Sequence, residues 1–160
     1  SICPNVPASL KWPNDLMVND RKMGGILLEA DGPHAILGCG INIRNAPKIL
    51  DSSVSSTDIA EYQSVLPDAK QLADSYLLNL ENLYQIWQKC GPAPLLARWQ
   101  DKSNIIGRNL TVRLCDRSIT GICDALEPDG RLNIVDIDGN VHLITVGDVV
   151  LMGEVNATNN

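Results

Sequence analysis

The sequence predicts an α+β protein: an antiparallel or mixed sheet with packed helices, followed by a small β-barrel. Three observations lead there. Residues 8–45 alternate β-compatible apolar runs with tight-turn signals. Residues 68–90 carry an apolar stripe of helical period. The last third holds five short runs rich in Val, Ile, Leu and Thr, divided by turn residues. With 160 residues, 44% hydrophobic and 20% charged, the chain has ordinary globular composition and length for a core.

In order along the chain, Ser9–Val18 and Met23–Ala30 read as two strands joined by Asn19-Asp20-Arg21-Lys22, whose Asn-Asp start suits a hairpin turn. Asp31-Gly32-Pro33 signals a second turn, and the apolar run His34–Ile43 supplies a third strand of the same meander. Asn45–Leu66, rich in Ser, Thr, Asp and Pro, reads as a loop with one short helix. Leu72, Tyr76, Leu80, Leu83, Trp87 and Cys90 then step by three or four residues, between a Pro67-Asp68 start and a Gly91-Pro92 stop. Core packing of this face against the sheet is preferred to a cofactor role for its aromatic residues. Pro94 opens a shorter helix with Leu95, Leu96 and Trp99. Strands are expected at Leu110–Cys115, Ile119–Leu126, Arg131–Asp138, Val141–Val146 and Val149–Val155, and closure into a small barrel would remove their exposed edges. The expected division is 1–103, 104–155 and a frayed tail at 156–160.

Composition narrows the function classes. Thirteen basic and nineteen acidic residues give a net charge of −6, against the basic field of a nucleic-acid-binding chain, so no nucleic acid partner is expected. No apolar run reaches the roughly 18 residues of a membrane span, so no membrane partner is expected. Five cysteines in no Cys-x-x-Cys spacing, with only His34 and His142 beside them, read as reduced cytoplasmic thiols and not as a zinc site. A Cys115–Cys123 pairing across a hairpin is the one disulfide the spacing suggests. The start at Ser1, without Met or a signal-peptide pattern, reads as a segment of something longer.

Chemistry-bearing residues concentrate in 11–42. Lys11-Trp12-Pro13-Asn14-Asp15 brings a lysine into a turn in which Pro13 fixes one backbone angle. Arg21-Lys22-Met23-Gly24-Gly25 sets a basic pair beside two glycines that permit close backbone approach. Gly38-Cys39-Gly40-Ile41-Asn42 repeats two glycines and adds an amide. Lys11, Arg21 and Lys22 would form an anion site if they converge in space. The glycines fit neither a dinucleotide fingerprint nor a phosphate loop. Asp15, Asp20, Glu29 and Asp31 are metal candidates by proximity alone, with solvated turn acids the simpler reading; the metal ligands stay unassigned.

Taken together, Leu10-Lys11-Trp12-Pro13-Asn14-Asp15, Arg21-Lys22-Met23-Gly24-Gly25-Ile26-Leu27 and Leu37-Gly38-Cys39-Gly40-Ile41-Asn42-Ile43 resemble the biotin–protein ligase (holocarboxylase synthetase) family in order and spacing. The Lys-Trp-Pro-Asn-Asp string is among that family's most diagnostic. The long helix, the shorter helix ending in Arg98-Trp99 and the β-rich tail are similar to its layout, with an SH3-like C-terminal domain.

The resemblance implies that ATP and biotin form biotinyl-5′-AMP and pyrophosphate, after which a lysine of a biotin-acceptor domain of a carboxylase takes the biotin. Lys11 matches the family's catalytic lysine, a cation placed beside the biotin carboxylate and the α-phosphate. Asn42 would hydrogen-bond the adenylate, and Gly38 and Gly40 would leave room for it. Lys22 would be a further phosphate contact, and Gly24 and Gly25 would shape the adjacent strand. Asn14 and Asp15 would fix the turn that aims Lys11. Mg²⁺ would accompany the triphosphate. The family's Gly-Arg-Gly-Arg-type adenylate loop is absent from the sequence, as is its DNA-binding extension. The expected protein is therefore the C-terminal part of such a ligase, inactive alone, with the N-terminal part of the same enzyme, or a second copy in a homodimer, as a partner. The rival readings are a lipoate–protein ligase and a non-catalytic acceptor-docking or regulatory fragment.

Overall fold

A computed structural model of the chain describes residues 2–47 and 54–152, so the expected frayed tail at 156–160 lies outside the described residues. The architecture is α+β: a four-stranded antiparallel sheet, two helices, and a five-stranded antiparallel sheet.

The first sheet runs in the order β1 (Ala8–Lys11), β2 (Asp15–Val18), β3 (Arg21–Asp31) and β4 (His34–Ile41). The expected single strand Ser9–Val18 is in fact two. Trp12-Pro13-Asn14 reverses the chain, because proline has no N–H to give to a ladder and its φ is fixed, so Lys11 comes to lie opposite Asp15. Asn19 and Asp20 both adopt positive φ (49° and 58°), the left-handed pair of a two-residue hairpin turn matched to strand twist. Gly32, at φ 57°, heads the next turn and lets Asp31 pair with His34.

The first helix, α1 (Ala69–Cys90), begins at Asp68, whose Oδ1 accepts from Gln71 N at 2.8 Å while Gln71 Oε1 accepts from Asp68 N at 2.9 Å. It ends at Gly91, where φ is 71°. Its apolar stripe is only partly used. Leu72 packs with Val18, Met23 and Ile59 in one buried cluster, and Tyr76 lies against β4. Leu80, Leu83, Tyr84 and Trp87 stay exposed, Trp87 at 50%. The expectation that this whole face packs on the sheet is corrected here. The far half of the β3–β4 hairpin is equally bare, with Ile26, Leu27, Leu28, Ile36 and Leu37 exposed. Periodicity shows which face of a helix is apolar, not what lies opposite it.

The second helix, α2 (Ala93–Lys102), packs against β1 and leads into strands β5 (Asn109–Arg113), β6 (Ser118–Leu126), β7 (Leu132–Val135), β8 (Val141–Ile144) and β9 (Asp148–Leu151). Their order is β8-β7-β6-β5-β9, all antiparallel. Alternating inward residues such as Leu110, Val112, Ile119, Cys123, Leu132, Ile134, Val149 and Leu151 form the larger core. Cys123 sits in this core and faces Ile134 of β7, while Cys115 is exposed in the β5–β6 turn; both are free thiols. The suggested Cys115–Cys123 pairing is therefore not formed, because the register places the two residues apart.

Candidate active site

Strand register assembles the site from residues far apart in sequence. Lys11 faces Asp15, Asp15 faces Gly25, and Gly25 faces Gly40, so these four form one row across all four strands. Residues directly opposite one another project from the same face of a sheet. Period-two alternation adds Leu27 and Gly38, paired in the next row of that face. The opposite face carries Leu16, Ile41, Cys39 and Leu37, and it is there that α1 packs. The row-bearing face is therefore a trough floored by glycine and closed at one end by charge.

At the closed end Lys11 is only 3% exposed. Its Nζ lies 3.5 Å from Asp15 Oδ2, and Lys22 Nζ pairs with Asp15 Oδ1. A β-bulge between Leu16 and Met17 shifts the register so that Lys22 reaches Asp15 from β3. Two cations thus share one carboxylate, which leaves a net positive charge beside bare backbone. Such a site suits an anion that approaches closely. Asn14 ties the turn to β3, its Nδ2 donating to Ile26 O at 2.7 Å and its carbonyl accepting from Ile26 N at 2.9 Å.

The glycines are not equivalent. A Cβ on Gly40 would meet nothing within 4 Å, and one on Gly38 only Leu27, at 3.8 Å. A Cβ on Gly25 would make ordinary contacts with Asn14 O, Asp15 Oδ1 and Lys22 Cε at 3.6–3.7 Å. These three face the open trough. Gly24 points to the other side, where a Cβ would stand 2.3 Å from the carbonyl oxygen of Gly40. Gly24 is thus required by packing, whereas Gly38 and Gly40 leave space.

Asn42 follows Gly40 by two residues at the end of β4. Its backbone N–H donates to Met23 O at 2.8 Å and its Nδ2 to Thr57 O at 3.1 Å. The amide plane is thereby fixed by one donor bond.

Arg21 does not join the other two cations. Its guanidinium donates to Glu61 Oε1 at 3.2 Å and to the Tyr62 hydroxyl at 2.8 Å, which raises its own pKa and holds the Glu61 carboxyl below its ordinary range. The expected triple convergence reduces to Lys11 and Lys22. Asp20 pairs with Arg108 at 2.9 Å, away from the trough, and Glu29 and Asp31 lie on the exposed end of β3. His142 contacts Asp136 at 2.7 Å in the second sheet.

Support for Asn42 comes from residues that sequence reasoning did not single out. Thr57 is fully buried and Asp58 nearly so. Thr57 N donates to Lys22 O at 2.9 Å, Asp58 Oδ2 accepts from Ala46 N at 2.9 Å, and Ile59 N donates to Asn42 O at 3.0 Å. The only signal for them is Asp58 three residues before Glu61 at the start of a short 3₁₀ turn (Ile59–Glu61), where Asp58 Oδ1 caps Glu61 N at 3.2 Å.

Among the described residues, no cluster of three His, Cys, Asp or Glu side chains could hold a metal ion. Asp15, the carboxylate nearest the trough, is already shared by two lysines. These residues do not fit a protein-held Mg²⁺. No helix is long and apolar enough to cross a membrane among the described residues.

The model of the biotin/lipoate A/B protein ligase family matches residues 2–42, which span Lys11, the glycine pairs and Asn42. A biotin–[acetyl-CoA-carboxylase] ligase of Mycobacterium tuberculosis is 32% identical over 148 residues, covering 92% of this chain and 54% of the relative. The bifunctional ligase/repressor BirA of Escherichia coli is 30% identical over 149 residues, covering 89% of this chain and 46% of the relative. The chain thus spans about half the length of the curated relatives it matches. Biotin protein ligase from Aquifex aeolicus shares the fold over 92% of this chain, with a TM-score of 0.80 for the apo structure at 22% identity, covering 66% of that chain. Its structure in complex with biotin and ATP superposes with a TM-score of 0.77 at 24% identity, covering 62% of that chain.

Proposed function

We propose, from the premise that the chain belongs to the biotin–protein ligase family, that it supplies the Lys11 side of the site at which biotin is activated by ATP and passed to an acceptor lysine. The observation that carries this reading is the row Lys11–Asp15–Gly25–Gly40, a buried ammonium at the head of an open glycine-floored trough. In the first step a biotin carboxylate oxygen attacks the α-phosphorus of ATP, the bond to the β-phosphate oxygen breaks, and pyrophosphate leaves. Both reactants are anionic, so a cation fixed between them offsets their repulsion and the charge that builds up at the α-phosphate. Lys11 is that cation, held in place by Asp15; Lys22 extends the positive field toward the phosphates. Gly25, Gly38 and Gly40 let the adenylate lie against backbone, and Gly24 keeps β3 and β4 close enough to form that floor. Asn42, oriented by one Nδ2–H on Thr57 O, keeps its second Nδ2–H as a donor and Oδ1 as an acceptor for the adenylate. In the second step an acceptor lysine amine attacks the biotinyl carbonyl, AMP leaves with the bonding pair, and the amine loses a proton as the amide forms. Mg²⁺ enters with the triphosphate as part of the substrate.

The remainder of the site is assigned to a segment N-terminal to these residues that carries the Gly/Arg-rich adenylate loop. The bare apolar faces of β3, β4 and α1 support this, since contiguous exposed apolar surface marks an interaction site. A second copy of the chain is the alternative occupant. By this reading residues 1–103 belong to the catalytic domain, residues 104–155 form an SH3-like barrel, and the protein works in the cytoplasm.

The test is biotin transfer to a carboxylase acceptor domain, with this chain alone and with the N-terminal part supplied. Transfer only on complementation, lost in Lys11→Ala, is the expected result. Transfer by the chain alone would refute the shared site, and undiminished transfer by Lys11→Ala would refute the role of Lys11. Lipoate offered in competition separates the biotin from the lipoate reading. Acceptor binding that is indifferent to Lys11, Asn42 and nucleotide would favour a docking fragment.

A further inference from the structure

Lys11 and Trp12 are consecutive, yet their side chains serve different parts of the fold. Lys11 heads the trough row, paired with Asp15. Trp12 enters the second sheet, where it is 5% exposed and belongs to the same buried cluster as Ile105, Leu110, Leu132 and Ile134. Its indole Nε1–H donates to the carbonyl of Gly130 at 3.1 Å, across 118 residues of sequence.

That acceptor is itself held firmly. Gly130 lies in the β6–β7 turn at φ 86°, a left-handed conformation that favours glycine. Its N–H donates to Glu127 O at 2.8 Å, and Asp129 accepts from Arg131 N at 3.1 Å. The other end of the hairpin is tied to the same unit. Asn104 N donates to Leu10 O at 3.0 Å, and Asp20 accepts from both Arg108 Nη1 at 2.9 Å and Asn104 Nδ2 at 3.1 Å.

The second sheet therefore draws one of its core residues from the turn that presents Lys11. A tryptophan that merely filled the core would need no fixed place relative to the trough; this one shares a peptide bond with the buried lysine. We propose that Trp12 is a positioning residue for the first chemical step, through which the C-terminal sheet fixes the backbone from which Lys11 reaches the reacting groups. The inference rests on the reading of Lys11 given above. It assigns the C-terminal sheet a part in biotin activation without any contact with biotin.

The test is a double-mutant cycle on pyrophosphate release, in the ligase polypeptide that carries these residues together with the rest of its catalytic domain. Trp12→Phe keeps the ring and removes the donor. It is expected to lower kcat for adenylate formation by about three- to tenfold, the worth of one neutral hydrogen bond, and to change KM for biotin less. In a Lys11→Ala background the same substitution is expected to change the residual rate by less than about twofold, because an effect routed through Lys11 is not additive with its loss. Equal fold losses in the two backgrounds, or no loss with Trp12→Phe, would overturn the proposal and leave the reading of Lys11 intact. A Lys11→Ala enzyme as fast as the unaltered one would instead overturn that reading, and this proposal with it. Should Trp12→Phe fail to fold, benzothienylalanine at position 12, an indole analogue with sulfur in place of N–H, runs the same cycle with the core volume kept.

Discussion

Gly40→Val separates folding from ligand binding, since a side chain at position 40 enters open space. A Cβ there has no neighbour within 4 Å, and the position lies in a β-strand, where valine is favoured over glycine. The free chain is therefore expected to keep its stability or gain up to about 1 kcal/mol, a Tm rise of no more than roughly 2–4 °C for a chain of this size. The isopropyl group would stand on the trough floor, one strand from Gly25, two from Asp15 and three from Lys11. A reactant lifted by about 1 Å from its place loses on the order of a hundredfold in rate, so kcat/KM for adenylate formation in the complemented enzyme is expected to fall by about that factor. Gly24→Ala is the control on the opposite face. Its Cβ would stand 2.3 Å from Gly40 O, so β3 and β4 must separate, at a cost of about 1–3 kcal/mol. Thermal melting of the free chain and pyrophosphate release by the complemented enzyme measure both variants. An active Gly40→Val would refute the trough as the ligand's place; a Gly40→Val that melts like Gly24→Ala would refute the claim that this face is open.

Two further outcomes follow from the second sheet. Asp136 is held down to about 2 by hydrogen bonds from His142, then from Asn140. A depressed carboxyl adds stability that is present above its unfolded pKa of about 3.9 and lost as pH falls through the folded value, so the sheet should loosen between about pH 4 and 2. Acid titration of Asp136→Asn, followed by circular dichroism, should show that part of the transition gone; an unchanged titration would refute the assignment. Burial raises the Cys123 thiol to about 12, so at pH 8 it should resist iodoacetamide until the chain unfolds, while exposed Cys115 is alkylated. Mass spectrometry of the native protein reads this directly, and early labelling of Cys123 would show that the core opens.

Local chemistry made several features legible in the sequence. The Asp68 start and the Gly91 stop bound the long helix as expected, because caps act within one turn. Asn19-Asp20 and Gly32-Pro33 announced their hairpins because positive φ selects few residue types. The row Lys11–Asp15–Gly25–Gly40 was not legible, although each member was singled out. It depends on the reversal at Trp12-Pro13-Asn14 and on the bulge after Leu16, and a one-residue slip in either would send the glycines to the other face. Thr57 and Asp58 look like any Ser/Thr/Asp loop residues; only their hydrogen bonds to distant backbone bury them. Nothing local to Trp12 says that its hydrogen-bond partner lies 118 residues on.

The placement of the three tryptophans also makes the chain its own optical reporter. Trp12 is sealed in the second core, Trp99 borders it, and Trp87 stands half in solvent on α1, edge-on to Tyr84 at 5.7 Å between ring centroids. With Trp12 buried and Trp99 partly buried, the red edge of the emission comes from Trp87, the most exposed of the three indoles. Covering the bare helix face would shift that edge toward the blue, while unseating Trp12 would shift emission toward the red. Occlusion of one surface and separation of the two sheets thus carry opposite colours in a single spectrum.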